Sequence, residues 1–245
     1  MRRAVAVLVV ACALVVDAPS VAADDLTPQC RIWRTAEPRP MNTVANNVVP
    51  ARTRPVPWPA WAFDDSSYRR HVDGRYRGTT DEILQWAACK WRVPVDVLRA
   101  VAAQESWWDA TTVGDGGQSY GLMQVKVGAA TNAGVTVAQA KASAWNVDYY
   151  AATLRACLDG RMVLWRDRPD LTSRPYTPGD LWGCVEAWYS GVGPTVWSAW
   201  YADRVRSYLV ERRWTHPDFV AWIGWREWCA SVSLDEAAGY WNCRP

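Results

Sequence analysis

Thr79-Thr80-Asp81-Glu82-Ile83-Leu84-Gln85-Trp86-Ala87-Ala88-Cys89-Lys90-Trp91, followed after Arg92-Val93 by Pro94-Val95-Asp96-Val97-Leu98-Arg99-Ala100-Val101-Ala102-Ala103-Gln104-Glu105, decides the fold. Its first four residues form a capping box, the start signal of a helix. Ile83, Leu84, Ala87 and Trp91 then share one helical face. Pro94 stands where a second helix opens, and Leu98, Val101 and Ala102 make its apolar face. The pattern recurs downstream. Ala144 to Leu158 carries Val147, Tyr150, Ala151 and Leu154 as a stripe, with Gly160 as its stop. Pro178 to Tyr189 carries Leu181, Val185 and Trp188, and Pro194 opens a fifth helix with Tyr201, Val205, Tyr208 and Leu209. No segment of comparable length alternates like a strand, so the fold class is mainly α.

Composition sets the limits around this helical centre. The chain has 245 residues, 50% hydrophobic and 21% charged, which is globular and not disordered. A net charge of +2 gives no reason to expect nucleic acid or an anionic membrane as the main partner. The 2 His, His71 and His216, lie far apart, which argues against a Ser-His-Asp triad and a multi-His metal site. No metal or cofactor is implied. The 18 Trp and 10 Tyr against 2 Phe favour rings with an apolar face and a polar edge. Such rings suit a wet, partly apolar ligand such as a sugar, although most Trp are expected in the core.

The N-terminus reads as an export signal. Arg2 and Arg3 precede an apolar run from Ala4 to Val16, and Val21-Ala22-Ala23 offers a cleavage site. The run is too short to span a membrane, and no later stretch reads as a span. Val9-Val10-Ala11-Cys12 offers a rival, a lipid-anchored Cys12, but the apolar run continues past it. Removing residues 1–23 leaves Cys30, Cys89, Cys157, Cys184, Cys229 and Cys243, an even set that reads as disulfides in an exported chain. Cys157 and Cys184 lie on two predicted helices and suit a bridge, and Cys229–Cys243 is a second candidate.

Three regions follow the signal. Residues 24–78 are rich in Pro, Arg and Trp and read as an extended arm, tied down through Cys30, either wrapping the helical part or binding the wall. Residues 79–213 form the helical domain. Residues 214–245 form a Trp- and Cys-rich extension in which Trp222, Trp225 and Trp228 share one helical face, a docking surface more than a sugar platform.

Glu105 carries the chemistry in this reading. It follows Val101 by four residues and Ala102 by three, and so shares the apolar face of its helix. Burial raises a carboxyl's pKa, and a helix C-terminus pushes the same way. A carboxyl kept protonated near neutrality is a general acid. The position also suits a helix-end Glu turned to solvent. A Gly-rich loop follows, Val113-Gly114-Asp115-Gly116-Gly117-Gln118-Ser119-Tyr120-Gly121-Leu122-Met123-Gln124-Val125. Gly121 could let a ligand approach the main chain, and Gln124 offers a donor and an acceptor. Tyr120 could floor a cleft, as one of Trp107 and Trp108 could wall it.

Taken in order, Glu105-Ser106, Gly121-Leu122-Met123-Gln124, Asn146 at a helix start and Tyr189-Ser190-Gly191 resemble the soluble lytic transglycosylase family and its relative, goose-type lysozyme, over about residues 80–210. The resemblance implies a lysozyme-like helical fold and peptidoglycan glycan strands as substrate, cut between N-acetylmuramic acid and N-acetylglucosamine. It implies that one Glu acts as acid and then base while the sugar's own 6-hydroxyl closes a 1,6-anhydro ring. By match that Glu is Glu105. Tyr189 would hydrogen-bond at the reaction centre, and Met123 and Gln124 would line the cleft. Ser106 would orient nearby groups, and Ser119, Tyr120, Gly121 and Asn146 would join the substrate-binding set. An intramolecular nucleophile removes the need for a second carboxylate.

The sequence departs from the family pattern in three places. Gln118 and Ser119 stand where Gly and Ala are common, and Ser190 stands where Asn is common. Asp115 resembles the goose-type Gly-Asp, but Lys126 stands where that type has Asp. Asp115 is a candidate second carboxylate for a water-using muramidase, or a turn residue bonding its own backbone. An inert peptidoglycan-binding protein is the non-enzymatic alternative. A further protein partner is left open.

Overall fold

The computed structural model describes residues 31–51 and 57–222. The segments read as signal peptide, as the Cys30 tie and as the Trp225, Trp228, Cys229 and Cys243 cluster lie outside the described residues.

Thr79 caps its helix as expected. Its hydroxyl accepts from the Glu82 N–H at 3.2 Å, and Glu82 Oε2 accepts from the Thr79 N–H at 3.4 Å. The helices in chain order are α1 (Thr43–Asn47), α2 (Ser67–Arg70), α3 (Thr80–Trp91), α4 (Val95–Ser106), α5 (Val137–Lys141) and α6 (Ser143–Leu158). They continue with α7 (Val163–Asp167), α8 (Leu181–Ser190), α9 (Ala199–Glu211) and α10 (Pro217–Val220). The fold is mainly helical. Between α4 and α5 the Gly-rich loop folds into an antiparallel sheet of two-residue strands, β1 (Val113–Gly114), β2 (Ser119–Tyr120) and β3 (Val125–Lys126). The sequence shows only the turns of this sheet, because such strands are too short to alternate.

Helix α6 is the central element. It packs on α3, α5 and α8, while α4 packs on α9. Residues Ser143 to Ala152 of α6 are all buried, so its stripe reads weakly against an apolar background. The buried Asp148 is kept by four donors: Trp91 Nε1 at 2.5 Å, Lys90 Nζ at 2.8 Å, and the N–H groups of Asp73 at 2.8 Å and Gly74 at 3.0 Å. A buried carboxylate is tolerated when it is saturated in this way. The expected bridge Cys157–Cys184 joins α6 to α8 with Cα atoms 5.8 Å apart.

Three expectations change in detail, the first being the fourth helix, which begins at Leu181 behind its cap Asp180 and not at Pro178. Among the described residues of the arm, two proline-free pieces form α1 and α2, and Pro40 opens a short 3-10 turn. The fifth helix begins at Ala199 and not at Pro194, because the Ser198 hydroxyl accepts from the Thr195 N–H at 2.7 Å and donates to Glu186 Oε2 at 3.0 Å. That pair folds the intervening residues into a turn.

The arm packs into the same core as the helices, contributing Trp58, Ala62, Phe63, Tyr68 and Val72. Arg39 is fully buried. It donates to the Trp107 carbonyl through Nε at 3.2 Å and Nη2 at 3.1 Å, to Val220 O at 3.2 Å, and to Phe219 O. Its guanidinium lies 4.6 Å from the Phe219 ring centre. Burial lowers its pKa to about 10, partly offset by Asp109 and Glu37, so it remains a cation at neutral pH.

Candidate active site

Helix α4 ends at Ser106, and Trp107 and Trp108 follow with φ of 57° and 59°. This left-handed stop fixes where the last helical turn points. Glu105 on that turn opens onto a cleft of about 770 Å³. The cleft is lined, with Glu105, by Gln104, Asp115, Ser119, Gln124, Lys126, Trp188, Tyr189, Trp200 and Tyr201. Trp58, Phe63, Asn132, Tyr149 and Met162 also line it.

The Glu105 carboxyl is enclosed by protein atoms yet keeps an opening to the cleft. Burial pushes its pKa up from 4.5 to about 8. The Tyr201 hydroxyl, which donates to Oε1, pulls the other way, and the charge of Asp115 adds to the rise. Trp188 also favours the anion, although its indole N–H points to the Met123 carbonyl at 3.2 Å. Tyr201 is itself buried, and burial beside Glu105 holds its pKa well above 10. It therefore stays a phenol donor across the pH range of interest. Tyr150 packs edge-on against Trp188, ring centres 4.8 Å apart, and its buried hydroxyl has no hydrogen-bond partner among the described residues.

Tyr201 is the site residue that sequence reading misses. Its spacing with Val205 marks it as core, and only the packing of α9 on α4 turns its hydroxyl toward Glu105. Tyr189 reaches the same place differently. It is half exposed, lines the cleft, and stacks on the Tyr201 ring with centres 5.1 Å apart and planes 20° apart.

The loop residues divide into two groups. Ser119, Gln124 and Asp115 line the cleft. Gln124 holds its side-chain amide on Gly121 O at 2.9 Å and Thr112 O at 3.2 Å. Asp115 Oδ2 accepts from the Ser119 hydroxyl at 2.8 Å and pairs with Lys126 Nζ at 3.2 Å. The antiparallel register that sets Ser119 opposite Lys126 brings these three together.

The second group stands behind the cleft. Met123 was expected to line it but is fully buried. Its N–H donates to Asn146 Oδ1 at 2.7 Å, and Asn146 Nδ2 holds the carbonyls of Tyr120 and Ala140, each at 2.7 Å. Asn146 is thus a pin for the loop. Ser106 donates to Leu122 O at 2.9 Å and serves the same end. Tyr120 turns its hydroxyl to the Gly117 carbonyl. Trp107 and Trp108 pack against Phe219 and do not line the cleft, whose indoles are Trp58, Trp188 and Trp200.

Gly121 is required by packing and not by ligand approach. Its φ is 77°, and a Cβ there would stand 2.8 Å from both Ala140 O and Asn146 Nδ2. Gly121→Ala is expected to destabilise the chain by about 2 kcal/mol, from the left-handed backbone and the displaced Asn146 pin. Denaturant unfolding measures this, and an unchanged midpoint would contradict the packing account.

Among the described residues no cluster of His, Cys, Asp or Glu has a metal-holding arrangement, and no helix is long and apolar enough to cross a membrane.

A mainly helical domain that encloses a proton-retaining carboxyl at a cleft is the setting of a general acid. Residues 82–152 match the family described as Transglycosylase SLT domain. Over that stretch the chain is similar to the SLT domain of the lysozyme-like superfamily. Members of that family are lytic transglycosylases, so the match supports glycan-cleaving activity on peptidoglycan at the level of the family. The match covers Glu105, the loop and Asn146, and it stops before α8 and α9, which supply Tyr189 and Tyr201. No curated protein matches the chain.

Proposed function

We propose that the chain is an exported peptidoglycan lytic transglycosylase that cuts the β-1,4 bond between N-acetylmuramic acid and N-acetylglucosamine. The observation that carries this is the Glu105 carboxyl, enclosed at the cleft and bonded by the Tyr201 hydroxyl, where burial pushes its pKa up to about 8. In the first step the Glu105 carboxyl gives its proton to the glycosidic oxygen, the C1–O bond breaks, and the downstream sugar leaves with a 4-hydroxyl. The Tyr201 hydroxyl bond steadies the carboxylate so formed. In the second step the muramyl 6-hydroxyl attacks C1 and its proton returns to Glu105. The product is a 1,6-anhydro ring, and no water is consumed. Tyr189, Gln124 and Ser119 contact the sugars on either side of this bond in the proposed complex. The reading of residues 1–23 as an export signal supports a reaction outside the cytoplasm.

The test is mass spectrometry of the fragments released from purified peptidoglycan by residues 24–245. Fragments lighter by one water and lacking a reducing end support the proposal. Reducing-end fragments would replace it with a hydrolase.

Asp115 gives the hydrolase reading its one foothold, since it lines the same cleft as Glu105. Its ion pair with Lys126 and its bond from Ser119 commit the carboxylate elsewhere. Asp115→Asn is therefore expected to leave the anhydro products and change turnover by no more than about threefold. A loss of all products in that variant would favour the water-using mechanism.

A further inference from the structure

The lip of the cleft beyond Glu105 presents an indole to water. Trp200, in the first turn of α9, is 51% exposed and lines the cleft. Its ring meets Tyr189 edge-on, with centres 5.2 Å apart and planes 78° apart. Tyr189 lies nearly parallel on Tyr201, 5.1 Å away, and the Tyr201 hydroxyl reaches Glu105. Three rings thus run unbroken from the solvent-facing lip to the reacting carboxyl. Helix α9 carries the outermost and innermost of them on adjacent residues, and α8, packed on α9, supplies the middle one.

We propose that Trp200 is a sugar-binding residue, its exposed indole face stacking on a pyranose ring of the glycan strand next to the bond cleaved at Glu105. This rests on the transglycosylase reading and adds a subsite outside the matched family segment. The chemistry fits the occupant. The axial C–H groups of an N-acetylhexosamine form an apolar face, slightly positive at hydrogen, that complements the negative face of an indole. Hydroxyl and acetamido groups stay at the ring edge, where the open lip leaves them to water. An indole left half exposed beside a cleft gains from cover in a way an isolated surface indole does not. The edge-on contact with Tyr189 limits rotation of Trp200, so little side-chain freedom is lost on binding.

Binding is measured by calorimetry with a β-1,4-linked N-acetylglucosamine tetramer as probe, using Glu105→Gln as the non-reacting parent. Adding Trp200→Ala should weaken binding by about tenfold. Trp200→Phe should restore most of the loss and Trp200→Leu should not, since Leu is apolar without a π face. Trp197→Ala is the control: Trp197 is 78% exposed on the preceding turn, outside the cleft lining, and its removal should leave affinity unchanged. On peptidoglycan, Trp200→Ala in the wild-type background should raise KM and leave kcat within about threefold. Equal binding by the parent and its Trp200→Ala variant overturns the proposal while the transglycosylase reading stands. A folded parent that binds no tetramer removes both. Equal glycan binding together with a Trp200-dependent dimer in sedimentation would assign the indole to a second copy of the chain and also overturn the proposal.

Discussion

Glu105→Gln is expected to lose turnover by about 10³-fold or more while gaining stability at neutral pH. The two effects have one cause. The folded protein holds this carboxyl near a pKa of 8, against 4.5 in an ordinary setting. Below pH 4.5 both folded and unfolded chains keep the proton, and the group has no effect on stability. Between 4.5 and 8 the unfolded chain releases a proton that the folded chain retains. Folding stability then falls as pH rises, by up to about 1.4 kcal/mol per pH unit, and the loss levels off above 8. The opening to the cleft softens this, so a gain of about 2 kcal/mol at pH 7 is expected for the neutral Gln, and almost none near pH 4. Thermal unfolding of both proteins at the two pH values reads it directly. Equal midpoints at pH 7 would mean that Glu105 is ordinarily ionised and is not the acid. For the wild type, kcat/KM should decline as pH rises through about 8, as the acid is lost.

Tyr201→Phe is expected to cut kcat by about 10²-fold with little change in unfolding midpoint. The phenol hydrogen bond favours the carboxylate over the acid, so its loss raises the Glu105 pKa further. The alkaline limb of the pH profile should therefore move up even as the rate drops. That pairing separates a bond that steadies the anion from simple loss of packing, which would move midpoint and rate together. Tyr189→Phe keeps the ring that stacks on Tyr201 and should have the smaller effect. If Tyr189→Phe is the more damaging of the two, the roles assigned to these tyrosines must be exchanged.

What could be read from the chain alone was local. Thr79 and Glu82 sit three residues apart and dictate a helix start without help from the rest of the molecule. Glu105 could be placed on an apolar face because Leu98, Val101 and Ala102 share its helix. Tyr201 could not be read in the same way, since its bond to Glu105 joins residues 96 apart and exists only once α9 docks on α4. The loop misled for a different reason. Glycine, asparagine and methionine near a catalytic residue suit both substrate contact and packing, and only Cβ distances and buried donors decide between them. At Gly121, Met123 and Asn146 packing wins, and the three together hold the hairpin that presents Gln124, Ser119 and Asp115. The misplaced start at Pro194 reflects a side-chain pair, Ser198 with Glu186, that a residue-spacing rule does not see.

Arg39 has a practical consequence for anyone who would trim this chain. A single guanidinium clasps the backbone just after Glu105 to a segment near residue 220, and it comes from the proline-rich side of the sequence. A fragment cut to the matched stretch would lose the clasp from both directions and leave carbonyls bare at the end of the helix that aims the acid. The smallest useful recombinant piece therefore starts ahead of Arg39 and runs past Val220. Grafting the loop or the acid helix onto another scaffold means bringing a cation to fill that hole.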